Sequence, residues 1–345
     1  VSFLTPKFVQ QLSDPDIKTI LLCGCGGGFD FVHSMVLYPE LIRLGKQIII
    51  GSYSFGQPSE IKGHAPVVFE YGNAIVKRVT AQSKPPQFYC PEVHLCAFLD
   101  QQYPDSAPHF VYAYYARTFA VPQLKAFYQQ LIDEHNIDAI VLVDGGSDSL
   151  MVGDEEGLGD PVEDVVSVAT VAQLDSIKLR LLINIGVGVD RFNHVSDGAT
   201  LRAISELTQS GGYLGAIGLD PSHHGLGFYR DCVDYIYENQ TFRSVVAGMI
   251  ISASEGYYGG EDVPPRLETR VRKGEFFVWS LMSTIYAFDI VKVAERSLMV
   301  DWIADCLIPL ECHHEIFQHR AEIDIRQIED LPDSKTLRYV PRPKD

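Results

Sequence analysis

Pro122-Gln123-Leu124-Lys125-Ala126-Phe127-Tyr128-Gln129-Gln130-Leu131-Ile132-Asp133-Glu134-His135 is followed, three residues on, by Ala139-Ile140-Val141-Leu142-Val143 and then by Asp144-Gly145-Gly146-Ser147-Asp148. In the first part Val121, Leu124, Phe127, Tyr128, Leu131 and Ile132 recur at helical spacing, and Pro122 suits a first turn where its missing N–H costs nothing. The second part is apolar at every position, and its length is that of a strand rather than a helix. A strand apolar on both sides and entered from a helix belongs in a parallel sheet covered on both faces.

The same alternation extends in both directions. Residues 19–23, 47–52, 110–114, 180–185 and 213–217 are further apolar runs of strand length, with amphipathic helical patterns between most of them. The expected architecture is one α/β domain over residues 1–332, a doubly wound, mostly parallel, Rossmann-like sheet with helices on both faces. Residues 57–103 carry Pro58, Pro66, Pro85, Pro86 and Pro91 and are expected to hold short elements or an insertion capping the sheet edge. The aromatic-rich run 276–293 is expected to pack against the sheet, and 333–345 to form a loose tail.

Charge is unevenly placed. Residues 126–177 hold twelve Asp and Glu and no Lys or Arg, so this stretch carries 12 of the 17 net negative charges. A Gly-rich loop with that many carboxylates repels itself unless its charges are solvated or neutralised, and a hard divalent cation held by oxygens is the usual neutraliser. Part of the charge has a structural reading: Asp160-Pro161-Val162-Glu163 is a helix start, with Asp160 as N-cap and Glu163 closing a capping box. Asp160, Glu163 and Asp164 are set aside on that ground. Asp144, Asp148, Asp154 and Glu155 remain as the expected ligands of Mg2+ or Mn2+, the competing reading being a solvated acidic loop. They lack the D-x-D-x-D-G rhythm of an EF-hand.

In an open parallel sheet the C-terminal ends of the strands share one rim, where ligands bind. Gly24-Cys25-Gly26-Gly27-Gly28-Phe29-Asp30 leaves the first strand and opens a helix, so Gly24, Gly26, Gly27, Gly28 and Asp30 are candidates for contact with a phosphate or nucleotide. The dinucleotide fingerprint is incomplete, because Phe29 stands where a third Gly belongs and the second strand lacks a terminal acidic residue. Arg117 follows the third strand, and its guanidinium suits an anion. Asp190, His194 and His224, at two further strand ends, are the candidate proton donors and acceptors.

Several classes are disfavoured. A pI near 5.0 and a net charge of −17 argue against nucleic acid and anionic membrane as partners. Seven scattered cysteines without a C-x-x-C pair fit neither a disulfide framework nor a zinc ribbon, so a reduced, cytoplasmic compartment is expected. The start of the chain does not read as a signal peptide, and no apolar run reaches spanning length. Glu311-Cys312-His313-His314-Glu315-Ile316-Phe317-Gln318-His319 imitates a metalloprotease helix, but His314 and His319 would lie about 140° apart around it.

Cys23-Gly24-Cys25-Gly26-Gly27-Gly28-Phe29-Asp30, the run Val141 to Asp148 with Gly153-Asp154-Glu155 and Gly157-Leu158-Gly159, and Gly186-Val187-Gly188-Val189-Asp190 together resemble the family known as domain of unknown function 1152. The resemblance implies a Rossmann-like α/β protein without an assigned activity. Read with the residues, it leads to the expectation of a soluble, metal-assisted hydrolase or group transferase acting on a small anionic, phosphate- or nucleotide-like metabolite. The alternatives are an NAD-type dinucleotide enzyme and a non-catalytic metabolite-binding protein; a homo-oligomer is left open.

Overall fold

The computed structural model describes residues 4–57 and 59–328. The strands are β1 (Thr19–Gly24), β2 (Gln47–Ser54), β3 (Val67–Tyr71), β4 (Ala74–Thr80), β5 (Phe110–Tyr115), β6 (Ala139–Asp144), β7 (Leu179–Ile185), β8 (Tyr213–Gly218) and β9 (Thr284–Asp289). They form one sheet in the order β3-β4-β5-β2-β1-β6-β7-β9-β8. All six strands expected from the sequence are present, each a residue or two longer than its apolar run. The five central strands, β5-β2-β1-β6-β7, are mutually parallel.

The edges are antiparallel, for two different reasons. Within 57–103 the β3–β4 hairpin pairs onto β5 and widens the sheet, and the helix Pro91–Gln102 follows it. At the other edge β9 enters between β7 and β8 and runs antiparallel to both. The aromatic-rich run 276–293 therefore supplies a strand of the sheet rather than only packing on it. The expected tail, 333–345, lies outside the described residues.

Alternation along the central strands divides the core into two layers. Leu21, Cys23, Ile49, Tyr114 and Leu142 face the helices Val121–His135 and Pro161–Ala172. Ile20, Leu22, Ile50, Val141 and Val143 face Phe31, Val32, Leu95 and Tyr229 on the opposite side. The opening helix runs from Val121 to His135 and stops at Asn136, which takes a left-handed conformation at φ 52°.

From β1 the chain winds outward through β2 to β5, then crosses back to β6 on the other flank of β1. The loops leaving β1 and β6 consequently diverge, and the crevice between them is the topological switch point of the sheet. Cys25 N–H donates to Val143 O at 2.8 Å, which prolongs the β1–β6 ladder and holds the Gly loop beside the end of β6.

Candidate functional site: a buried pocket of aspartates

Five aspartates converge on that switch point. Asp30 opens the short helix Asp30–His33 after β1, Asp144 ends β6, Asp148 starts the turn Asp148–Leu150, Asp164 lies in the first turn of Pro161–Ala172, and Asp190 lies in the turn Val189–Asn193 after β7. Carboxylate oxygens of Asp30, Asp144 and Asp164 all lie within 4.8 Å of one another. Asp144, Asp148, Asp164 and Asp190 are buried, and Asp30 keeps part of its surface open to solvent, so it marks the mouth.

Four of the five carboxylates are aimed by a neighbour. Asp30 accepts the Gly26 N–H at 2.9 Å and the Gly145 N–H at 3.2 Å, one on each oxygen. Asp144 Oδ2 accepts Asn184 Nδ2 at 2.7 Å and the Ser149 hydroxyl. Asp190 accepts the Ser147 N–H at 2.6 Å, and Asp148 the Asp160 N–H at 3.0 Å. Asp164 Oδ1 is buried with no protein partner. Burial, reinforced by the neighbouring carboxylates, pushes Asp30, Asp144, Asp164 and Asp190 well above the usual carboxylate range, and burial pushes Asp148 up to about 6. No Lys or Arg is among the largest influences on these five.

Glycines make the space. A side-chain carbon on Gly26 would lie 2.8 Å from Asp164 Oδ2 and 2.9 Å from Asp30 Oδ2, one on Gly145 would meet His33 and Asp30, and one on Gly146 would meet Asp190. Gly159, at φ 71°, leaves room for Asp148. The glycine spacing read from the sequence as an anion cradle is thus used for carboxylates. The loop amides are also largely spent: Cys25 N–H goes to Val143 O, Gly26 N–H to Asp30, and Gly28 N–H to Tyr53 O. Gly24 belongs to β1, and the Phe55 ring covers Gly27 and Gly28.

The sequence-derived ligands divide into two groups. Asp144 and Asp148 are in the pocket, with Asp30 and Asp190, which had been assigned other tasks. Asp154 is instead paired with Arg326 at 2.8 Å, and Glu155 is buried with its carboxylate on the N–H groups of Val152 and Gly153. Glu155 is thus satisfied locally, whereas Asp154 uses Oδ2 for Arg326 and keeps Oδ1 buried with no protein partner. His194, left-handed at φ 67°, lines a separate open cleft of about 580 Å³ with Gly157, Asn193 and Arg320. His224 is exposed and faces Glu40 at 3.4 Å. Neither histidine hydrogen-bonds an aspartate of the pocket among the described residues.

Arg117 is exposed and lines a cleft of about 280 Å³ with Ser54, Phe55, Tyr115, Thr118 and Glu163. That cleft adjoins the pocket twice, through Phe55 over the Gly loop and through Glu163 beside Asp164. Burial, then Asp160, pushes Glu163 up to about 7. The expected capping box is absent: the Asp160 side chain makes no cap bond, its N–H goes to Asp148, and Glu163 turns to the cleft. All seven cysteines are free and buried, and burial pushes Cys23 up to about 12 and Cys25 well above the ordinary thiol range. In the helix Pro309–Arg320, His319 stacks on Trp302 and pairs with Glu315 at 3.4 Å.

Two members of the site escaped the sequence reading. Asp164 was set aside with the helix cap, although a carboxylate among Val162, Val165, Val166 and Val168 is a charge on a buried helix and calls for an explanation. His33 stands three residues after Asp30, on the same side of one helical turn, and is completely buried.

Fold and site together define a Rossmann-like α/β protein with a carboxylate pocket at its switch point. The model of the family described as protein of unknown function (DUF1152) matches residues 118–321, more than half of the chain, and the protein belongs to that family. Asp144, Asp148, Asp164 and Asp190 fall inside the matched region, whereas Asp30 and His33 precede it. No curated protein and no solved structure matches the chain. Among the described residues, no helix is long and apolar enough to cross a membrane.

Proposed function

We propose that the aspartate pocket binds a divalent cation, Mg2+ or Mn2+, and that the protein is a cation-assisted hydrolase or group transferase acting on a small anionic metabolite of the phosphate-ester or nucleotide kind. The observation that carries this reading is the convergence of five aspartates, none of them in an ion pair with a Lys or Arg among the described residues, and one of them with the unpartnered oxygen Asp164 Oδ1. Magnitudes narrow the choices. An ionised carboxylate out of water costs several kcal/mol even after relaxation, and a whole domain is stable by only about 5–15 kcal/mol. Five such charges together would unfold it, so the pocket must hold protons or a cation.

The donor set is all oxygen, which suits hard cations, and the partly open Asp30 leaves a side for a ligand. When bound, the cation would polarise an oxygen of the anion and offset the repulsion from the carboxylates. Arg117 would grip the anion from the adjoining cleft, where its planar fork matches a carboxylate or phosphate. Asp190 in the pocket and Glu163 in the cleft would move protons. The spent amides of the Gly loop favour this reading over a dinucleotide enzyme.

The test is a panel of phosphate monoesters and nucleotides assayed with EDTA-treated protein, with and without added Mg2+ or Mn2+, and with Asp144→Asn as control. Product release that needs the cation and disappears in Asp144→Asn is expected. Cation binding without turnover of any compound would replace the enzyme with a binding protein.

A further inference from the structure

We propose that His33 and Asp30 together hold one neutral hydroxyl oxygen, from water or from an alcohol group of the substrate, at the mouth of the aspartate pocket. The inference rests on the cation reading only where it places that hydroxyl beside a metal-bound anion; the position itself does not require the cation.

The hydrogen-bond accounting around His33 is closed on one side and open on the other. Nδ1 lies 2.7 Å from the Tyr229 hydroxyl, and this ring nitrogen is that hydroxyl's hydrogen-bond partner. Nε2 is buried and has no protein partner. Burial pushes the imidazole pKa down to about 3, so the ring is neutral and carries a single N–H. Burial also pushes Tyr229 well above the ordinary phenol range, so it keeps its proton and needs an acceptor. Nδ1 meets that need when it is unprotonated, and this puts the ring proton on Nε2. The opposite tautomer would leave the phenolic O–H without an acceptor in the core.

Nε2 lies beside the bare Cα of Gly145. A side-chain carbon at Gly145 would press on His33 Nε2 and lie 3.0 Å from Asp30 Oδ1, so both atoms border the space over the bare Cα. No hydrogen bond joins them directly. Asp30 accepts N–H groups from Gly26 and Gly145, which marks its carboxylate as the acceptor of this pair. An atom between them has to accept a hydrogen bond from Nε2–H and donate one to Oδ1. A hydroxyl does both. A bare phosphate or carboxylate oxygen has nothing to donate to Oδ1, and an ammonium group cannot accept from Nε2–H. His33 is therefore a positioning residue: it fixes the oxygen, and its neutrality keeps the ring from competing with the cation for the carboxylates.

The full chain labelled with 15N-histidine, and crystals of the same chain grown with Mg2+ and with EDTA, test this. In the NMR spectra His33 should show a protonated Nε2 and an unprotonated Nδ1, and Tyr229→Phe should weaken that preference. At atomic resolution, one ordered oxygen should lie within hydrogen-bond distance of both His33 Nε2 and Asp30 Oδ1, and it should be lost in His33→Leu. A proton on Nδ1, Nε2 directly on the metal, or the absence of a shared oxygen would overturn the proposal. A shared oxygen in crystals that take up no Mg2+ would uphold it while removing the cation reading, and bound Mg2+ with no shared oxygen would do the reverse.

Discussion

Gly26 presents its bare Cα to Asp164, where a methyl group would sit 2.8 Å from the carboxylate. Because Asp30 is equally close and is anchored by two N–H groups, neither carboxylate has room to retreat. Gly26→Ala should therefore cost about 1–3 kcal/mol, as overpacking does, and should weaken Mn2+ binding. Urea unfolding and titration followed by Mn2+ paramagnetic resonance read the two effects. Gly227→Ala, in the helix His224–Asn239 with no atom within 4 Å of the added carbon, is the control and should be neutral or stabilising by up to about 1 kcal/mol. Equal effects at the two glycines would remove the argument.

Stability without metal should fall as pH rises. Burial raises the folded-state pKa of Asp30, Asp144, Asp164 and Asp190 well above 3.8, and that of Asp148 to about 6. A carboxyl raised on folding contributes stability that is complete below its unfolded pKa and lost as pH climbs through the folded one. Asp138, Glu206 and Asp220 are lowered and act in the opposite sense below the ordinary carboxylate range, and His33 and His94, also lowered by burial, oppose the trend up to about pH 6.5. In EDTA, Tm should drop between about pH 6.5 and about pH 8, above the range in which the lowered histidines oppose it, and Mg2+ or Mn2+ should reduce the drop. A Tm in EDTA that rises over this interval would contradict the pocket's electrostatics.

Asp144 and Asp154 separate the pocket from its surroundings. Asp144→Asn should abolish the rise in Tm that Mn2+ gives, because it removes a charge from the three-carboxylate centre. Asp154→Asn breaks the half-buried pair with Arg326 and should cost about 1 kcal/mol or less, while the rise from Mn2+ persists. Glu155→Ala should cost more, about 1–3 kcal/mol, by leaving the N–H groups of Val152 and Gly153 unsatisfied in the core, again with Mn2+ binding intact. Thermal melts with and without Mn2+ distinguish all three.

Arg117→Ala should leave both the melt and Mn2+ binding unchanged, since the side chain is exposed and lies outside the carboxylate cluster. It should weaken the binding of inorganic phosphate to Mn2+-loaded protein in calorimetry. Unchanged phosphate affinity would remove Arg117 from the site.

The central sheet was legible because both faces of β1, β2, β5, β6 and β7 are buried, and an apolar run of strand length has few other places to go. β9 was not, because Thr284, Tyr286 and Asp289 are only partly buried and its pairing with β7 and β8 is long-range. The acidic loop located the pocket, yet one-dimensional spacing could not tell Asp144, which faces other carboxylates, from Asp154, which faces Arg326. Asp164 shows the converse: local capping rules explained its place in the helix so well that its burial went unread. For the glycines, sequence reported that close approach was needed at Gly26, but not that the approaching group would be the protein's own carboxylate.

The late arrival of β9 bears on synthesis. All five aspartates and both partners of β1 are made before residue 191, whereas the strand that joins β8 to β7 begins at Thr284. A chain growing from its N-terminus can thus assemble its most highly charged interior while β7 still presents an unpaired edge, and β8 has no neighbour to join. Ribosomal stalling or premature termination between these points would release a polypeptide with the pocket largely assembled and a bare strand ready to pair with another copy.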